Sequence, residues 1–73
     1  MNLYRVVVLQ KDKENLERAV WADRMDIQGE SILFLAFDVE NMTDKLVGLY
    51  PAQYTVITNI ETKEEYDKRK ASL

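Results

Sequence analysis

Six consecutive apolar residues, ILFLAF at 32–37, constrain the fold of this chain more than any other feature. Successive side chains of a β-strand point to opposite faces, so a strand built from this segment is apolar on both sides. A single domain of 73 residues has little with which to cover both sides of a sheet. We therefore expect the second face to be covered either by closure of the sheet on itself with help from a helix, or by another chain.

The chain contains neither cysteine nor histidine. Disulfide bonds are therefore impossible, and nucleophilic triads, thiol chemistry and the usual zinc ligands are missing. Carboxylates such as Asp23, Asp26, Asp38 and Glu40 leave a magnesium-dependent enzyme as the weakest hypothesis. We expect no enzyme, no catalytic residues, no metal and no cofactor.

Small domains usually need a disulfide, a metal or association to be stable, and only association is left for this chain, which predicts a homo-oligomer.

The chain has a net charge of −3 and no stripe of basic residues. Both features argue against binding of a nucleic-acid backbone and favour a protein partner. Residues 1–10 lack the basic segment of a signal peptide, and their longest apolar run is too short for one. No segment approaches the roughly 18 apolar residues of a membrane span. The sequence therefore predicts a cytoplasmic protein that does not bind a membrane.

Five strands are predicted, and they are followed by a helix. The strands cover residues 3–10, 19–27, 31–38, 45–50 and 54–60. Gly48 within the fourth strand suggests a bend, a bulge or a close backbone approach, and proline breaks the chain at 51–53. Thr62 is a candidate N-cap that Glu65 completes as a capping box, so residues 62–73 form either a short helix or a frayed tail.

The segment 13–28 has two interpretations. In the preferred one, residues 19–27 form a strand that turns at Gln28 and Gly29, which places Trp21 opposite Ala36 and Met25 opposite Ile32. In the alternative, a helix over about 13–28 gives an α+β fold. Asp23 would interrupt the apolar stripe of that helix, which favours the hairpin. The prediction is thus a mainly β single domain, 1–73, with a strongly bent five-stranded antiparallel barrel over about 3–60.

The order of these parts resembles small SH3-like and Sm-like barrel proteins of bacteria and phages. The resemblance runs over YRVVVL at 4–9, Ala22-Asp23 leading to IQG at 27–29, Leu33-Phe34, VGLYP at 47–51 and YTV at 54–56. It implies rings formed by pairing of the last two strands, here 45–50 and 54–60, between subunits. The chain lacks the basic loop motif of RNA-binding Sm proteins.

Two functions are consistent with these features. The first is a non-enzymatic interaction protein that self-associates and binds another protein, with a phage-type inhibitor or accessory factor implied by the resemblance. The second is a homo-oligomeric barrel that sequesters a nucleotide-like ligand at subunit junctions through arginine and an aromatic ring. The candidate interaction residues are Trp21, Arg24, Leu33, Leu35, Phe37, Tyr50 and Tyr54.

Overall fold

The computed structural model describes residues 1–73 and contains two three-stranded antiparallel sheets and one α-helix. The first sheet has the order β2-β1-β6 and the second has the order β3-β4-β5. The strands are β1 (Asn2–Val8), β2 (Leu16–Ala22), β3 (Arg24–Gln28), β4 (Ser31–Asp38), β5 (Thr43–Pro51) and β6 (Thr55–Thr62), and the helix is α1 (Lys63–Ala71). A 3-10 turn, Ala52–Tyr54, separates β5 from β6.

The mainly β fold with a C-terminal helix is confirmed, but there are six strands rather than five, and the sheets do not close into a barrel. The sixth strand arises because the predicted strand 19–27 is divided at Asp23. There the backbone N–H of Asp23 donates to the carbonyl of Leu35 at 2.8 Å, and the Asp23 carboxylate accepts from the N–H of Phe37 at 2.6 Å. The chain therefore leaves β1 at this corner and joins β4. The alternative helix over 13–28 is wrong, because β2 and β3 occupy this segment.

The hairpin between β3 and β4 has a different register from the one expected. Met25 pairs with Phe34 and Ile27 with Ile32, so the turn residues are Gly29 and Glu30. Gly29 has φ of +60° and takes the first central position, where type II′ turns favour glycine. The pairings of Met25 with Ile32 and of Trp21 with Ala36 are therefore wrong, and Trp21 pairs with Leu3 in the first sheet.

The core lies where the two sheets meet. Tyr4, Val6, Val20 and Ala22 of the first sheet pack with Ile32 and Phe34 of the second, and the rings of Tyr4 and Phe34 lie 5.0 Å apart. Phe34 is fully buried, as a large ring at the centre of a small core must be.

The molecule is flat, with extents of 37 × 36 × 14 Å. Its radius of gyration is 13.7 Å, whereas a compact domain of this length has about 11 Å. Only 7 of the 73 residues are buried, so most of the area of both sheets faces outward.

Helix α1 covers part of the outer face of the first sheet. It begins with the predicted capping box, in which Thr62 Oγ1 accepts from the N–H of Glu65 at 3.1 Å and Glu65 Oε1 accepts from the N–H of Thr62 at 3.2 Å. The ring of Tyr66 stands edge-on to Trp21 at 4.9 Å. The C-terminal segment is therefore a docked helix rather than a tail. At nine residues α1 is too short to cross a bilayer, and the structure has no longer helix.

Gly48 allows two aromatic rings of the second sheet to approach the backbone of β5. It pairs with Phe34, and a Cβ atom at this position would lie 3.2 Å from Phe34 Cδ2 and 3.3 Å from Tyr50 Cε2. The predicted close approach at Gly48 is thus present, and the bulge lies at the preceding residue, Val47, which has no partner on β4.

We expect Gly48→Ala to destabilise the fold, because the buried ring of Phe34 cannot move away from the new methyl group. The net loss should be about 1–2 kcal/mol, after the roughly 0.5–1 kcal/mol that alanine gains over glycine in a strand. Urea denaturation measures it. In a Phe34→Leu background the alanine should be neutral or stabilising, and an equal loss in both backgrounds would contradict the explanation.

Candidate interaction surface

The side chains of β4 alternate between the core and the outside. Because Ile32 and Phe34 point into the core, Leu33, Leu35 and Phe37 point to the opposite face of the second sheet. On β5, Leu49 lies opposite Leu33 and Leu46 opposite Leu35. We call this set, Leu33, Leu35, Phe37, Leu46 and Leu49, the outer leucine face. Leu49, Leu46 and Phe37 are 58%, 49% and 46% exposed, and no element of the chain covers them.

A β-bulge brings the two leucines of β5 onto one face. Residues three apart in a regular strand point to opposite sides, so Leu46 and Leu49 should diverge. Because Val47 is the extra residue of the bulge, the alternation of side chains is shifted by one residue between the two leucines. Both leucines therefore point outward beside β4. The residues selected from the sequence do not include these two leucines, because the face of each depends on where a bulge lies. Gly48 was the available signal, since glycine inside a strand often marks a bulge.

An ion pair spans the outer leucine face at one end. Arg24 of β3 lies beside Leu35, and Asp44 of β5 lies beside Phe37. The Arg24 guanidinium donates to Asp44 Oδ2 at 2.6 Å, and this hydrogen bond raises the pKa of Arg24 above its ordinary value. Both side chains are exposed, so the pair adds little stability and serves mainly to hold opposite charges at the rim.

Four of the seven predicted interaction residues share this face, namely Arg24, Leu33, Leu35 and Phe37. The other three lie elsewhere. Trp21 lies under α1 on the first sheet, Tyr50 packs edge-on against Phe34 at 5.7 Å on the core side, and Tyr54 belongs to the exposed 3-10 turn. Trp21, Tyr50 and Tyr54 therefore lie away from Arg24 within one subunit, and the combination of arginine with a tyrosine or tryptophan ring expected for a nucleotide site does not form inside a single chain.

Three of the four acidic residues named in the sequence analysis, Asp23, Asp26 and Asp38, have carboxylates that accept hydrogen bonds within the fold. Asp23 forms the corner between β2 and β3, and Asp26 accepts from the Gln28 side chain at 3.1 Å. Asp38 accepts from the Asn41 amide at 2.7 Å, and this hydrogen bond lowers the pKa of Asp38. No three acidic side chains come together in a group that could hold a metal ion.

Comparison with protein-family models, with curated proteins and with solved structures finds no match to this chain. The surfaces of the molecule itself are therefore the basis for assigning its function.

An ion pair between Glu61 of β6 and Arg69 joins α1 to the first sheet. Arg69 donates to Glu61 through Nε at 2.9 Å and through a terminal guanidinium nitrogen at 3.1 Å. These hydrogen bonds lower the pKa of Glu61. A carboxyl group whose pKa is lower in the folded than in the unfolded state stabilises the fold fully above the unfolded pKa. That contribution is lost as the pH falls through the lowered folded value.

We therefore expect acid to loosen α1 from Trp21, in the pH range below the ordinary glutamate pKa of about 4.3. The indole N–H resonance of Trp21, followed by NMR during acid titration, should report this step. Glu61→Gln should remove the step, whereas Glu64→Gln, in an exposed pair with Lys68, should keep it. An identical indole titration in wild type and Glu61→Gln would show that the Arg69 contact does not hold the helix.

Proposed function

We propose that this protein is a small non-enzymatic interaction protein whose outer leucine face is covered by a second copy of the same chain. The observation that carries the proposal is surface area. The chain exposes 5512 Å², about 800 Å² more than the roughly 4,700 Å² typical of a monomer of this mass. One partner in a stable protein–protein interface contributes about 800 Å². The excess area thus equals what one subunit would bury in a dimer.

The layering of the molecule supports the same conclusion. Stable domains bury each apolar sheet face against a second layer. In this chain the core side of the second sheet is covered by the first sheet, but the outer leucine face has no covering layer. An identical sheet facing it would supply that layer and would bury the most exposed leucines of this face, Leu46 and Leu49, within the contact.

The charges at the rim suit a second copy better than an unrelated surface. In a two-fold symmetric contact, residue i of one subunit meets residue j of the other, and j meets i. Arg24 lies on one edge strand of the sheet and Asp44 on the other. A two-fold axis through the face can therefore set Arg24 of each subunit near Asp44 of its partner, and opposite charges then meet twice.

The strand connectivity supports a proposal about the fold class. β2 runs into β3 through the Asp23 corner, β3, β4 and β5 follow as a meander, and β6 returns to β1 after a 3-10 turn. We propose on this basis an open, SH3-like arrangement.

Binding of a further protein would use the surface left free by the dimer, and the acidic net charge favours a protein over nucleic acid there.

The wild-type protein should have the mass of a dimer at micromolar concentration in light scattering or sedimentation. Leu49→Glu should raise the dissociation constant at least about thirtyfold, the effect of losing a contact of about 2 kcal/mol. The matched control is Val39→Glu, which makes the same kind of change at a 73% exposed position in the turn after β4. It should leave the mass unchanged.

A monomeric wild type would overturn the proposal. So would a Leu49→Glu protein that associates as well as wild type, since this is the result expected of rings that pair β5 with β6 and leave the outer leucine face open. Because Leu49 is exposed in the single chain, its substitution should not disturb the monomer fold.

A further inference from the structure

The structure contains one cleft, and it lies on the first sheet, away from the outer leucine face. Its volume is about 370 Å³, within the range of about 300–1,000 Å³ of small-molecule sites. Arg5 and Val7 of β1 line it, and these residues alternate along the strand with the core residues Tyr4 and Val6. The cleft therefore opens on the outer face of the first sheet, the face that α1 covers in part.

Four side chains surround the cleft in a two-by-two pattern. The register of β1 and β2 places Arg5 opposite Ala19 and Val7 opposite Glu17, and all four residues line the cleft on the same face. The two opposite charges therefore occupy one diagonal of the pattern, and the two short apolar side chains occupy the other. Diagonal neighbours on paired strands are about 7–8 Å apart, so a gap separates the charged groups.

Neither of these two charged groups has a partner within the chain. Arg5 and Glu17 take part in none of its ion pairs. The side-chain hydrogen bonds that reach them end on their backbone carbonyls. Glu61 shares the outer face with Arg5 but gives both carboxylate oxygens to Arg69. An unpaired guanidinium and an unpaired carboxylate thus border one cleft.

The other two polar residues of the lining are used elsewhere. Arg18 pairs with the core residue Val6, so its side chain belongs to the opposite face of the sheet, and its Nη1 donates to the carbonyl of Glu17 at 2.8 Å. The Thr58 hydroxyl donates to the carbonyl of Arg5 at 3.4 Å. The charges available to a ligand in the cleft are therefore one positive and one negative.

We propose that this cleft binds a small zwitterion of the amino-acid class, with its carboxylate on the Arg5 guanidinium and its ammonium group on the Glu17 carboxylate. The planar fork of N–H donors in arginine matches the two oxygens of a carboxylate. The carbon chain of the ligand then passes between Val7 and Ala19. A simple anion or cation would leave one of the two charges without a partner. The site belongs to a single subunit and does not depend on the proposed dimer.

The test is an NMR titration at constant ionic strength with two zwitterions, alanine and 4-aminobutanoate, whose charges are separated by different lengths. We expect saturable shifts of the amide resonances of residues 5–7 and 17–19 with at least one of them. Butanoate and butylammonium each carry only one of the two charges of 4-aminobutanoate. Neither should saturate these resonances at the concentrations at which the zwitterion does.

Arg5→Gln and Glu17→Gln should each weaken binding at least about tenfold, as expected for loss of a hydrogen bond to a charged group. Ala19→Leu keeps both charges but fills the cleft, and it should also abolish binding. The matched controls are Lys45→Gln and Glu40→Gln, which remove the same charges from β5 and from the turn after β4. They should leave binding unchanged.

Saturation by either zwitterion with loss in the cleft variants supports the proposal, and the better ligand identifies the charge separation that fits. No saturable binding of either zwitterion would overturn it. So would equally tight binding of butanoate or butylammonium, equal losses in the control variants, or unchanged binding in Glu17→Gln or Ala19→Leu. Glu17 is exposed on an edge strand, so Glu17→Gln decides the question if Arg5→Gln does not fold.

Discussion

The hydrogen bonds of Asp23 join the two halves of this molecule. Its backbone N–H and its carboxylate both bind the backbone of β4, one at Leu35 and the other at Phe37. A single continuous segment thereby serves as the edge of one sheet and then as the edge of the other. Because a shift of one residue in a strand exchanges its two faces, this attachment also determines which side chains of β4 enter the core.

The position of β4 then accounts for both the stability and the exposed surface. Ile32 and Phe34 complete the core with residues of the first sheet. Their neighbours Leu33, Leu35 and Phe37 must point away, since adjacent residues of a strand cannot share a face. A thin molecule with few buried residues results, and its apolar outer face is a direct consequence of the way its core is built.

Each sheet contains one β-bulge. The one at Val47 turns Leu46 and Leu49 to the same side, and the one at Thr58 lies beside Arg5. In both sheets the bulge involves an edge strand paired with the central strand. The central strands keep their regular alternation and hold the core, while the edge strands absorb the extra residue and redirect side chains outward.

Much of the architecture was determined by the sequence itself, because the responsible interactions are local. β-branched and aromatic runs predicted the strands, Thr62 and Glu65 predicted the start of the helix, and alternation placed Leu33, Leu35 and Phe37 on one face. Only the tertiary structure decided the division at Asp23, the turn at Gly29 and Glu30, and the meeting of Leu46 with Leu49. Each of these depends on hydrogen bonds between strands distant in the chain, or on the register of a hairpin, and neither the composition nor the period of a single strand determines them.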